Sequence, residues 1–66
     1  MLERANIITT RKGDIVRFNS YSLRVECEPL IGKGSITLEG RISVDGCPMV
    51  VKHFLAGKIV NIERTA

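Results

Sequence analysis

Residues 35–44 read SITLEGRISV. Every second position is apolar or glycine: Ile36, Leu38, Gly40, Ile42 and Val44 alternate with Ser35, Thr37, Glu39, Arg41 and Ser43. A period of two describes a strand with one face on a core and the other in water. Gly40 falls on the inward side, where a side chain is expected. A glycine there marks a bulge or a sharp bend, as at the corner of a barrel. Upstream, residues 21–27 (YSLRVEC) repeat the pattern, with Tyr21, Leu23, Val25 and Cys27 on one side and Ser22, Arg24 and Glu26 on the other.

Working outward, the same period predicts strands over residues 6–11 (NIITTR), 14–18 (DIVRF), 48–55 (PMVVKHFL) and 59–63 (IVNIE). Turn signals separate them: Lys12-Gly13-Asp14, Asn19-Ser20, Asp45-Gly46 and Ala56-Gly57-Lys58. Residues 49–55 also lie close to helical spacing, but the Val50-Val51 pair favours a strand. No segment combines a helical period with caps. The expectation is one all-β domain over residues 1–66, a small SH3-like barrel of five to six short antiparallel strands. Closure into a barrel protects edges that a flat sheet would expose. The inward set is expected to be Ile8, Val16, Phe18, Leu23, Val25, Ile36, Leu38, Ile42, Val44, Val51, Val60 and Ile62.

Charge and composition narrow the function classes. Ten Lys/Arg against seven Asp/Glu give a net charge of +3. This balance is compatible with RNA or another anionic partner, and equally with simple solubility. No apolar run approaches the roughly 18 residues of a membrane span. The opening Met1-Leu2-Glu3-Arg4 lacks the basic start and apolar stretch of a signal peptide. A soluble, cytoplasmic protein without membrane contact is expected. Two cysteines are too few for a secreted disulfide scaffold, so Cys27 and Cys47 read as free thiols. With His53 they lack the Cys-x-x-Cys spacing that zinc sites commonly use, and no metal or cofactor is expected.

His53 is the only histidine. On strand parity it lies with Met49, Val51 and Leu55 and is expected to face inward as a packing residue. A general base needs a reacting partner within hydrogen-bond reach, and the spacing supplies none. Gly32-Lys33-Gly34-Ser35 lacks the upstream glycine and following helix of a phosphate loop. No catalytic residue emerges, and an enzyme is not expected.

The basic residues carry more information. Arg17, Arg24, Arg41 and Lys52 are assigned outward, with a rim position as the alternative for Arg17. Glu26 shares a face with Arg24, and Glu39 with Arg41, so cross-strand ion pairs are expected there. Arg11, Lys12 and Lys58 fall in turns. Of the three aromatic residues, Phe18 reads as core, while Tyr21 and Phe54 are candidates for exposed stacking rings. Lys33 stands between Gly32 and Gly34, which free the backbone for a tight corner and clear space around it. Successive amides in such a corner can form an anion-binding nest.

The order of residues in RKGDIVRFNSYSLRVECEPLIGKGSITLEGRI resembles the N-terminal barrel of elongation factor P and its eukaryotic and archaeal counterpart, initiation factor five-A. Gly13, Asn19, Val25, Gly32, Lys33, Gly34 and Arg41 fall at comparable places, although Ile31 rather than proline precedes Gly32. The similarity runs from about Arg11 to Glu63. In that family the loop lysine reaches into the peptidyl-transferase region of the ribosome and in many members is enzymatically extended. The resemblance implies that role for Lys33.

Two functions follow as expectations. One is an RNA- or ribosome-associated binding module, with Lys33 presented on a loop and Arg11, Lys12, Arg41 and Lys58 contacting phosphates. The other is a protein-interaction or structural module that docks on a partner or on another copy through an exposed strand edge or through the apolar loop of Leu30 and Ile31. The strand assignment itself is testable: Val25→Ala is expected to cost roughly 1–3 kcal/mol, the scale for removing buried methyl groups. An unchanged melting midpoint would overturn it.

Overall fold

The alternation becomes structure in a computed structural model that describes residues 2–43 and 48–64. Seven strands form one antiparallel sheet: β1 (Leu2–Asn6), β2 (Ile15–Arg17), β3 (Ser22–Val25), β4 (Leu30–Gly32), β5 (Ser35–Ile42), β6 (Met49–Leu55) and β7 (Ile59–Glu63). Their order is β1-β7-β2-β3-β5, with β4 sharing one edge of β5 with β3, and β6 pairing along the other edge. The sheet wraps around one core but is not closed, because β1 and β6 do not pair with each other.

That core consists of Ile7, Val16, Leu23, Val25, Ile36, Leu38, Val60 and Ile62, with Ala5, Phe18, Ile42, Val50 and Phe54 packed against it. Most of the expected inward residues are therefore inside. Burying a side chain of this kind contributes about 1.5–3 kcal/mol, which explains why the period-two positions dominate the fold.

Two of the departures from expectation fall in segments that are apolar at consecutive positions. The first strand lies earlier than residues 6–11. At Asn6 the chain leaves β1 for a single 3-10 turn, Ile7–Thr9. The Asn6 carboxamide accepts from the Ile8 N–H at 3.1 Å, and the Thr10 hydroxyl donates to the Ile7 carbonyl at 2.7 Å. Such side-chain bonds compete with strand pairing. They put Ile7 in the core and turn Ile8 outward, 39% exposed.

β6 has the opposite parity to that expected. Val50, Lys52 and Phe54 are half-buried, whereas Met49, Val51, His53 and Leu55 are exposed. Register with β5 decides this: Phe54 sits opposite Ile36 and Val50 opposite Gly40, while Val51 meets Glu39 and His53 meets Thr37. Inward-side Lys52 keeps its stem against the protein and holds its ammonium 5.4 Å from the centre of the Tyr21 ring. Val44, Cys47 and the Asp45-Gly46 turn lie outside the described residues.

The Gly-Lys-Gly segment turns a corner between two strands. Gly32 pairs with Ser35, so Lys33 and Gly34 form a two-residue hairpin loop between β4 and β5. Gly34 takes φ +74°, the conformation for which a glycine is needed. Leu30–Gly32, expected as loop, is thus a short strand, and it brings the count to seven.

Gly40 is the bend. It pairs with Val25, and an added Cβ would lie 1.9 Å from the Arg24 carbonyl oxygen. Just beyond, the N–H groups of Glu26 and Cys27 both reach the Glu39 carbonyl, at 3.0 and 3.3 Å. Two residues opposing one acceptor make a bulge, after which the chain resumes as β4 on the same edge of β5. Gly40→Ala should therefore force two backbones apart. Its cost is expected at about 3 kcal/mol, the upper end for overpacking, and urea unfolding measures it. A variant with the parent midpoint would show that the close approach is not required.

Candidate nucleic-acid interface

Residues paired across a sheet point to the same side, so the registers locate each outward side chain. Arg4 pairs with Asn61, Asn61 with Arg17, and Arg17 with Ser22. In the adjacent row, Ile15 pairs with Arg24, and Arg24 with Arg41. Arg4, Arg17, Arg24 and Arg41 therefore share the outward face of five neighbouring strands, and all are exposed. At about 4.8 Å per strand, the set reaches roughly 19 Å across the sheet.

The central pair is unusual. Arg24 stands directly opposite Arg41. Like charges at that position destabilise an antiparallel pair. The expected compensation by Glu26 and Glu39 is largely missing. Glu39 faces Val51 instead, and Glu26 reaches Arg41 only at 4.0 Å. Arg17 is paired with Glu63, its Nε donating at 3.2 Å and its terminal nitrogen more closely. That hydrogen bond, and then the charge of Arg17, hold the Glu63 carboxyl below the usual range. Among the described residues, Arg4 and Arg24 have no carboxylate within ion-pair distance.

Two cavities follow this face. One, of about 320 Å³, is lined by Arg17, Arg24 and Arg41 with Ser22, Ser43 and the apolar Ile15 and Ile42. The two serines knit the strand ends: Ser22 N–H donates to Ser43 Oγ at 3.1 Å, and Ser43 N–H to the Ser22 carbonyl at 2.9 Å. The second, of about 290 Å³, is lined by Arg4, Arg17, Asn19, Lys58 and Asn61, beside Phe18. Arg17 belongs to both. Guanidinium groups offer forked donors whose geometry matches phosphate oxygens.

The residues singled out from the sequence fall in three places. Arg41 belongs to the arginine face, and Lys58 lines its second cavity. Lys33 is exposed at the β4–β5 tip, flanked by Gly32 and Gly34, and the Ala56 N–H donates to the Gly34 carbonyl at 3.0 Å. This bond sets the tip beside the turn that carries Lys58. Arg41 lies toward the other end of β5, roughly 25 Å from Lys33 at strand rise. Arg11 and Lys12 are exposed in the turn before β2, where the Arg11 N–H donates to Asp14 Oδ2 at 2.9 Å. The sequence reading missed Arg4 altogether. It placed Arg17 and Arg24 outward without assigning them to a site, since parity alone does not reveal the opposite neighbour.

His53 is exposed rather than inward, its Nδ1 2.8 Å from the Thr37 hydroxyl. Cys27 is a half-buried free thiol. Among the described residues, no three His, Cys, Asp or Glu side chains are grouped to hold a metal ion, and no helix is long and apolar enough to cross a membrane. Compared with protein-family models, curated proteins and solved structures, the chain finds no match.

The opposed arginines make a stability prediction. Arg24→Glu converts a repulsive cross-strand neighbour into an attractive one. It should raise stability by roughly 0.2–1 kcal/mol at low salt, and the gain should shrink as salt is added. Chemical unfolding at two salt concentrations measures both. A loss of stability at low salt would mean that Arg24 and Arg41 do not repel.

Proposed function

We propose that this chain is a non-enzymatic binding module that lays an RNA backbone across the arginine face of its sheet. The observation that carries this reading is Arg24 directly opposite Arg41, with Arg17 lining the same cavity. An arrangement that costs stability when empty is relieved when a phosphate enters, because the anion replaces repulsion with two charge-assisted contacts. The net charge of +3 acts in the same direction. Lys33 at its glycine-flanked tip is available as a further contact, and the resemblance to the elongation factor P barrel makes the ribosome the first RNA to try. In this reading the bent, unclosed sheet is a small SH3-like barrel working in the cytoplasm, a compartment that suits the free thiol of Cys27.

A protein-interaction module is the second reading, favoured by a separate observation. Leu30 and Leu55 are 71% and 76% exposed, and among the described residues one edge of β6 has no partner strand. An open edge beside apolar side chains can accept a further strand. Sedimentation that shifts with concentration supports that reading.

Fluorescence anisotropy with labelled RNA separates the two. For single strands each phosphate contact contributes about 0.7 to the slope of log affinity against log salt. Four arginines should give a slope of about −2.8, and the Arg24→Gln, Arg41→Gln double variant should lose about 1.4 of it. Pelleting with ribosomes, compared between the parent and Lys33→Ala, tests the loop contact. RNA binding that is absent or indifferent to salt would overturn the proposal.

A further inference from the structure

Three aromatic rings gather at the unclosed side of the sheet. The Asn19-Ser20 turn brings Phe18 and Tyr21 together, with the Phe18 N–H donating to the Tyr21 carbonyl at 2.8 Å. Their ring centres lie 4.8 Å apart, 27° from parallel. Phe54 arrives from β6, 5.3 Å from Phe18 and 13° from parallel. Phe18 is thus stacked between the other two, and each of the three is half-buried. Aromatic pairs in cores commonly meet edge to face or offset; a near-parallel stack leaves flat ring faces at its ends.

These rings border a recess of about 620 Å³, completed by His53, Leu55, Ala56 and Lys58. Lys52 holds its ammonium over Tyr21. The recess also adjoins the second cavity of the arginine face. Phe18 and Lys58 line both it and the Arg4–Arg17 cavity, and Arg17 leads on to the cavity of Arg24 and Arg41. A polar, cationic path therefore ends in a flat-walled aromatic pocket.

We infer that the recess formed by Phe18, Tyr21 and Phe54 is a stacking subsite for an unpaired nucleobase, which makes the ligand single-stranded. This inference rests on the RNA reading above and narrows it. Every base has a flat π-face, so ring stacking combined with a basic track holds single strands of varied sequence. A duplex keeps its bases paired and stacked inside and has none to offer the recess. The entering base takes the place of the Lys52 ammonium over Tyr21, and Lys52 turns to the neighbouring phosphate. Lys58, shared by recess and track, contacts the backbone where the base leaves it.

The test uses the whole chain with three probes: a short oligoadenylate, a blunt RNA duplex and inorganic polyphosphate. With two phenylalanines, one tyrosine and no tryptophan, the ring protons are few enough to follow individually by NMR. Oligoadenylate should bind more tightly than the duplex and move the Tyr21, Phe18 and Phe54 ring protons upfield. Polyphosphate should bind the arginines and leave the rings unmoved. Tyr21→Leu keeps apolar bulk at the site; it should weaken oligoadenylate binding about tenfold, within the range for loss of one stacked base, and leave polyphosphate binding unchanged. Oligoadenylate and duplex binding alike, with unmoved ring protons, would overturn the subsite while leaving RNA binding by the arginine face intact. Failure of all three probes to bind would remove both.

Discussion

A side chain at position 40 is forbidden, and much of the architecture depends on it. An ideal Cβ there would stand 1.9 Å from the Arg24 carbonyl oxygen, far inside van der Waals contact. Without one, β3 lies hard against β5, and the bulge at Glu26 and Cys27 follows immediately. The bulge lets one edge of β5 carry both β3 and β4. The adjoining register position is Arg24 opposite Arg41. The close approach at Gly40 thereby fixes the register that sets these two arginines face to face.

Acidic residues are divided between the fold and this face. Arg64, following β7, gathers groups from β1, the 3-10 turn and the start of β2. Its guanidinium donates to Asp14 Oδ2 at 2.8 Å, to the Thr9 carbonyl and hydroxyl at 2.9 Å each, and to Glu3 at 3.2 Å. The hydrogen bond to Glu3 raises the Arg64 pKa, partial burial opposes it, and Asp14 adds to the rise. Asp14 is buried and also accepts the Arg11 N–H, so its charge is held by a guanidinium and a backbone amide. A buried carboxylate needs such partners, because leaving it unpaired carries a large desolvation cost. Glu3 and Asp14 thus serve the fold at Arg64, and Glu63 serves Arg17. Glu63 and Glu26 lie at the arginine face itself and offset Arg17 and part of Arg41, so that among the described residues Arg4 and Arg24 are its arginines without an ion pair.

In the proposed reading, a flexible anion would meet guanidinium forks along the sheet, an ammonium at the corner and flat rings at the end. Each group alone is ordinary for a small domain. Their value lies in sharing walls, with Arg17, Phe18 and Lys58 each belonging to two adjoining cavities.

The alternation along the strands was enough to establish an all-β chain, a bulge beside Gly40 and a core containing Val16, Leu23, Val25, Ile36, Leu38, Val60 and Ile62. Alternation is a local property, and burial rewards it wherever one parity is polar. It fails where both parities are apolar. In NIITT, hydrogen bonds of Asn6 and Thr10 chose Ile7 over Ile8, and in MVVKHF the register with β5 chose Val50 and Phe54 over Val51. Arg41 and Lys58 were legible as basic residues at outward or turn positions, but the site they join was not. Arg4 meets Arg17 through Asn61, and Arg24 meets Arg41, across pairings that join distant segments of the chain. Such neighbours are set by long-range strand register, which periodicity does not encode, so tertiary structure alone decided which charges and rings share a surface.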